Sequence, residues 1–230
     1  MRGLEGLPPA RRPRWGPDRG PVGRGMLEIK LEGLSRSFAE RQVIKDLTAT
    51  VPAGERCVVR GPNGSGKTTL LKVVAGVLHP TAGRVRIVAD GEDRDALWIR
   101  RWTGFMGPDL FLYDELSAAE NLDFFAAVRG LPRDPGRERR ILEQVRLDHR
   151  RDDPIRTLST GLRQRAKLAF AIQAEPRILL LDEPSSNLDP EGRKLVKDVV
   201  DAVAGEDRVV LIATNDPEER EWGTSNLDMA

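Results

Sequence analysis

The chain has a single cysteine, Cys57, in 230 residues. That excludes an internal disulfide framework and leaves no cysteine cluster for structural zinc. Net charge is nearly absent: 37 Lys and Arg face 36 Asp and Glu, a formal +1. A balanced chain is not held to DNA or RNA by a large basic field, so no nucleic-acid partner is expected. No apolar run approaches the ~18–20 residues that span a bilayer. No apolar stretch of the secretory type follows the N-terminal arginines. The expectation is a cytoplasmic protein whose link to a membrane runs through a partner. Histidine is scarce too, with two in the chain. His79 precedes Pro80, and His149 sits in the charged run Asp148–Asp153, so both read as solvated rather than catalytic. No internal repeat is visible.

What is present begins after an unusual start. Eleven of the first 25 residues are Gly or Pro, and six arginines there face only Glu5 and Asp18. Such a segment buries too little apolar surface to offset its ordering entropy. Residues 1–25 are expected to be a disordered tail, or an extension upstream of a true start at Met26; a basic binding arm is the alternative. From residue 26 the patterning is that of a folded domain. Leu27, Ile29 and Leu31 alternate with charges as in a half-buried strand. Leu47–Val51 and Cys57–Val59 read as strands, and an apolar helical pattern runs through Leu70, Leu71, Val73, Val74 and Val77. Arg84–Ala89 reads as a strand ahead of an Asp90-Gly91 turn. Ser117 and Glu120 form the pattern of a capping box opening a helix through Leu122, Phe124, Phe125 and Val128. A second helix starting at Asp134-Pro135 presents Ile141, Leu142, Val145 and Leu147. The final third alternates: a helix over about 161–174, the strand Ile178–Leu181, a helix after Pro190, the strand Val209–Ala213, and a short helix capped by Asp216. Strand–helix alternation with a helical insertion predicts an α/β fold around a mainly parallel sheet.

Gly61-Pro62-Asn63-Gly64-Ser65-Gly66-Lys67-Thr68 fits the phosphate-binding pattern G-x-x-x-x-G-K-[ST]. Its glycines let the backbone curl so that amides point at phosphate oxygens, at a helix N-terminus whose dipole favours anions. Lys67 is expected on the β- and γ-phosphates of ATP, and the Thr68 hydroxyl on Mg²⁺. Downstream, Ile178–Leu181 is a buried-type strand ending in Asp182 and Glu183. Carboxylates at a strand's C-terminal end sit where α/β folds present ligand groups. Asp182 is the expected Mg²⁺ partner, and Glu183 is placed to polarise an attacking water. Trp98 and Trp102 read as core or interface packing rather than a stacking site, and Arg137–Arg140 as a solvated helix face.

Residues 158–165, Leu-Ser-Thr-Gly-Leu-Arg-Gln-Arg, resemble the LSGGQ-type signature of the ABC ATPases. Gly161 keeps the second glycine and Thr160 stands in place of the first. Ser186-Asn187-Leu188-Asp189 resembles that family's D-loop, and Phe38 lies where the family carries an adenine-stacking aromatic. The resemblance spans about residues 26–230. It implies a P-loop NTPase core with a mainly parallel sheet, an N-terminal antiparallel β portion, and a helical subdomain inserted at about 107–164. It implies ATP contacts from Phe38, from Gly61 to Thr69, including Thr69 itself, and from Ser159, Gly161 and Asp189 across a head-to-tail dimer. The partner would be a second copy or a similar ATPase subunit, and together they would drive an integral-membrane permease from the inner face of the cell membrane. Tyr113–Leu122 resembles the polysaccharide, drug and haem-exporter branches, including the ATPase of cytochrome c maturation.

The family pattern fails at two places. The family's glutamine ahead of the helical insertion is missing from Gly104–Phe111; Asp109 is the nearest equivalent, with Pro108 next if the register slips. Asn215 stands where the family usually has a histidine that bonds γ-phosphate. An amide donates a hydrogen bond but carries no proton or charge. Because Glu183 is retained, hydrolysis is expected, with Asn215 either replacing the histidine in function or leaving a slow, binding-only site. A non-transport ABC ATPase and a nucleotide-gated interaction module are the other readings.

Overall fold

The computed structural model describes residues 27–132, 134 and 136–229. The expectation for residues 1–25 lies outside the described residues. Two sheets share the molecule. A four-stranded antiparallel sheet has the order β2-β1-β4-β5, built from β1 (Leu27–Phe38), β2 (Arg41–Pro52), β4 (Ala82–Ala89) and β5 (Glu92–Asp93). A five-stranded sheet has the order β6-β7-β8-β3-β9, from β3 (Arg56–Arg60), β6 (Thr103–Met106), β7 (Ile178–Asp182), β8 (Val209–Ala213) and β9 (Ser225–Asp228). All of its pairings are parallel. This is the α/β architecture that the strand–helix alternation predicts, with the antiparallel N-terminal portion that the family resemblance implies.

β7 and β8 lie at the centre, and every residue in both is buried. Their near-continuous apolar sequences suit a strand covered on both faces. Alternation divides them between two cores. Ile178, Leu180, Val209 and Leu211 pack with the antiparallel sheet and α1 (Lys67–Val74). Leu179, Leu181, Val210 and Ile212 pack with α3 (Ala118–Val128), α4 (Arg137–Gln144), α5 (Thr160–Ile172) and α6 (Pro190–Val203). The segment between β6 and α5 holds α3, α4 and two 3-10 turns, at Asp148–Arg150 and Ile155–Thr157.

Local chemistry sets the element ends. Ser117 accepts from the Glu120 amide while the Glu120 carboxylate accepts from the Ser117 amide, completing the capping box of α3. Asp189 caps α6, and Asp216 caps α7 (Pro217–Arg220). Some boundaries differ from the pattern. α1 ends at Val74 because Gly76 turns the chain at φ +70°, and Val77 is 66% exposed rather than core. α4 starts at Arg137 behind Gly136, two residues later than the Asp134-Pro135 signal. Pro135 lies outside the described residues. α2 (Ala96–Trp102), β6 and β9 have no clear sequence signal. β6 is four residues with a glycine, and β9 is a short, mostly polar edge strand.

Candidate active site

The strand order brings four C-terminal ends side by side. β6 leads into residues 107–109, β7 into Glu183, β8 into Thr214 and Asn215, and β3 into the phosphate loop. Ligand groups in α/β sheets gather along such an edge.

The loop 61–66 curls between β3 and α1. A Cβ on Gly61 would come within 2.6 Å of Ser65 Oγ and 2.8 Å of the Met229 carbonyl, so only glycine fits. Gly66 holds φ +99° at the start of α1 with no side-chain cap, leaving the helix amides to an incoming anion. Ser65 Oγ is buried with no hydrogen-bond partner. Lys67 Nζ donates to the carbonyls of Gly61 at 2.7 Å and Pro62 at 3.1 Å, and to Asn215 Oδ1 at 3.1 Å. Burial holds the Lys67 pKa below its ordinary value, against the upward pull of the Glu183 and Asp182 carboxylates. An orphan hydroxyl, uncapped amides and a buried cation form a cradle whose chemistry fits phosphate.

Asp182 meets this loop directly. Thr68 Oγ1 donates to its Oδ2 at 2.6 Å. Burial pushes the Asp182 carboxyl up, and the Thr68 hydrogen bond only partly offsets it. Among the described residues no cluster of three or more His, Cys, Asp or Glu could hold a metal. The Thr68–Asp182 pair is nevertheless an all-oxygen donor set, the kind that suits Mg²⁺ when phosphate and water complete its shell.

Glu183 sits at φ +47°, a left-handed conformation that non-glycine residues rarely adopt. Strain of that kind clusters at active sites. Its carboxylate accepts from the Asn215 amide at 3.0 Å and from the Thr214 hydroxyl at 3.1 Å. The Asn215 side chain then crosses to the phosphate loop. Its Oδ1 accepts from Lys67 and its Nδ2 donates to Asn63 Oδ1. Asn215 therefore joins the phosphate loop to the Glu183 turn through three separate hydrogen bonds.

The remaining sequence-predicted residues fall into two groups. Phe38 ends β1, is 44% exposed, and carries the Arg36 guanidinium 4.5 Å from its ring centroid. Ser159 caps α5 by accepting from the Leu162 amide, Gly161 packs against Leu188, and Asp189 accepts from the Gly192 amide. Among the described residues no hydrogen bond joins Ser159, Gly161 or Asp189 to the phosphate loop. The exposed carboxylate of Asp109 is paired with Lys72 on α1. His79 and His149 are exposed, as expected. Trp98 and Trp102 stack at 6.3 Å, and Trp98 packs on the core.

Sequence reading missed several residues. Gln164 Nε2 donates to the carbonyls of Glu183 at 3.2 Å and Pro184 at 3.1 Å, tying α5 to the Glu183 turn. Arg41 reaches the Gly64 carbonyl at 3.4 Å. Thr214, Ser185 and Glu219 are buried polar groups behind Glu183. Their only signal is polarity directly after buried strands.

Residues 44–186 match the family model described as ABC transporter. The chain belongs to the ABC transporter ATP-binding family. Among relatives, it is 34% identical over 83% of its length to the daunorubicin resistance ATP-binding protein DrrA3 of Streptomyces coeruleorubidus, covering 61% of that protein. It is 37% identical over 83% of its length to the lipoprotein-releasing system ATP-binding protein LolD 1 of Rhodospirillum rubrum, covering 89% of that protein. The chain thus spans about three-fifths of the first of these and most of the second. A dimeric ATP-binding cassette in a post-hydrolysis state bound to ADP and Pi superposes with a TM-score of 0.77 at 25% identity, covering 87% of this chain and 94% of that one. The ABC assignment accounts for the juxtaposition of phosphate loop, Asp182 and Glu183, and for the signature helix α5 beside them.

Proposed function

We propose that this chain is the ATPase subunit of an ABC transporter, pairing head to tail with a second copy or a similar subunit and hydrolysing ATP to drive an integral-membrane permease. One observation carries the reading. Hydrogen bonds join Lys67 to Asn215 and Asn215 to Glu183, and Thr68 bonds Asp182 beside them, whereas the exposed Ser159 and the half-buried Gly161 make no bond to either group. The phosphate contacts expected of Ser159 and Gly161 would then be made to a partner's nucleotide.

Each residue has a defined task. The amides at the start of α1 bind phosphate oxygens. Lys67 leaves its loop carbonyls for the β- and γ-phosphates. Thr68 and Asp182 would hold Mg²⁺, which when bound neutralises charge on the transferring phosphoryl group. Phe38 offers its ring to adenine. Glu183, released from Thr214 and Asn215, orients and polarises the attacking water. Ser159 and Gly161 present the N-terminus of α5 to γ-phosphate across the dimer, with Asp189 beside them. Asn215 donates its amide where other family members place a histidine. Catalysis of this kind is positioning plus electrostatic stabilisation.

The permease partner is supported by a surface feature. Tyr113 and Phe124, both exposed, pack edge to face at 5.1 Å, and Phe111, two residues before Tyr113, is 80% exposed. Exposed aromatic patches mark protein contacts. The likeness of Tyr113–Leu122 to exporter branches supports export, with haem for cytochrome c maturation as the specific cargo reading. On this account the protein is cytoplasmic and peripheral to the membrane. Co-purification with a multispanning membrane protein is the expected result; a ribosome or soluble assembly factor as sole partner contradicts it.

A second reading rests on Asn215. Its grip on Lys67 and Asn63 would suit a nucleotide-gated module with weak turnover. Steady-state phosphate release with Mg-ATP at several protein concentrations, beside Glu183→Gln and Asn215→His, separates the two. Turnover lost in Glu183→Gln supports the ATPase. No turnover in the parent with recovery in Asn215→His supports the module.

A further inference from the structure

A buried carboxylate outside the nucleotide set stands directly behind it. Glu219, on the short helix α7, is 1% exposed. Its Oε1 accepts from the Ser185 amide at 2.7 Å and from the Ser185 hydroxyl. Ser185 is two residues beyond Glu183 in the turn after β7, and it too is buried. α7 follows the turn after β8, the one that carries Thr214 and Asn215. Glu219 therefore fastens the turn of the catalytic carboxylate to the segment that carries the Asn215 contact.

Thr214 adds a second connection. Its hydroxyl donates to Glu183 Oε2 at 3.1 Å. Burial pushes the Glu219 carboxyl pKa up, and the Ser185 and Thr214 hydroxyls only partly offset it. The Thr214 oxygen also accepts from the Asp216 amide at 2.9 Å, which fixes its orientation. α7 itself is held from the other side: Arg193 on α6 donates to the Asp216 carboxylate. A buried carboxylate is unfavourable to fold stability unless hydrogen bonded, and here both bonds to Oε1 come from Ser185 in the Glu183 turn, while Oε2 is buried without a partner.

We propose that Glu219 is a positioning residue: through its bonds to Ser185 and the short helix that carries it, it makes the Glu183 turn and the Asn215 turn move as one unit. The proposal rests on the ATPase reading for its effect on turnover but not for the mechanical link. Opening the Glu183–Thr214 bond to free the carboxylate for water would then shift the Asn215 amide in the same event. Asn215 meets the phosphate loop only through side-chain atoms of Lys67 and Asn63, so the loop's backbone amides lie outside that unit.

The experiment compares the full chain with Glu219→Ala and Glu219→Gln. Backbone hydrogen–deuterium exchange is followed across residues 61–68, 183–186 and 213–216, and kcat and KM for ATP are measured in parallel. Expected for Glu219→Ala are faster exchange in both turns with the phosphate loop unchanged, and kcat down about 10–100-fold at nearly constant KM. Glu219→Gln keeps the acceptor for Ser185 and restores both. Faster exchange in one turn alone, unchanged exchange, or kcat equal to the parent overturns the proposal. Should Glu219→Ala fail to fold, Ser185→Ala removes one of the two Oε1 bonds. The same two-turn pattern at smaller amplitude is then expected, and unchanged exchange overturns the link. If the parent itself releases no phosphate, the ATPase reading fails, and the exchange pattern still decides the link.

Discussion

Asp182 lies buried beside a hydroxyl and below two lysines, with its carboxyl pushed up by burial. The folded state therefore binds this proton more tightly than the unfolded chain does. Its contribution to stability is fully present below the unfolded value of 3.8 and is lost as pH rises through the folded value. Ionisation of the buried carboxyl therefore destabilises the nucleotide-free protein. Asp182→Asn, which keeps an acceptor for Thr68, should raise the thermal midpoint at pH 7 without nucleotide. It should also flatten the parent's loss of stability above about pH 4. The added stability that Mg-ATP gives the parent should vanish in the same variant. A midpoint at pH 7 equal to or below the parent's contradicts the burial argument. Asn215 makes a second test at this scale. Neither histidine lies in the site, so the parent's pH–rate profile should lack an imidazole limb. Asn215→His should introduce one near about 6.5; the absence of any new limb would mean that position 215 does not face the reacting phosphate.

Elements place these groups, and two local features set how firmly. The capping box of α3 fixes where the helix starts after the Asp109–Leu116 stretch. Ser117→Ala should destabilise the protein by about 1 kcal/mol in denaturant titration while leaving ATP affinity unchanged. Gly104 in β6 marks a tighter constraint: a Cβ there would fall 2.1 Å from the Ala171 carbonyl of α5. Gly104→Ala should therefore push α5 off the sheet, with loss of soluble protein greater than for Ser117→Ala. The strands and helices that carry the site were legible because their signals are strong. β7 and β8 are continuous apolar runs, and α3, α6 and α7 carry capping residues at their starts. The phosphate loop, Asp182 and Glu183 follow from spacing alone. β6, α2 and β9 did not announce themselves, because pairing with neighbours rather than composition makes them. The pairing of Asp109 with Lys72 was not legible either, because spacing carries no information on a side chain from another element. Glu219 and Ser185 were invisible because a contact 34 residues apart has no local pattern.

At the scale of the whole molecule the central claim is that one chain holds half of each working site. The phosphate loop, Asp182 and Glu183 form the acceptor half, and the exposed start of α5 forms the donor half for a partner. If a permease docks on the exposed Phe111, Tyr113 and Phe124 as proposed, substituting Phe111 and Phe124 by Ser should abolish co-purification with a membrane partner while leaving the isolated subunit's turnover unchanged. The most direct test of the central claim is phosphate release with Mg-ATP over a range of protein concentrations, with Ser159→Phe and Glu183→Gln mixed one to one. Each variant alone should be inactive. The mixture should regain activity, because the dimer that pairs the two variants holds one site with an intact Glu183 and an intact signature. Specific activity of the parent should also rise with concentration. Specific activity independent of concentration, with no recovery on mixing, would contradict a site shared between two subunits.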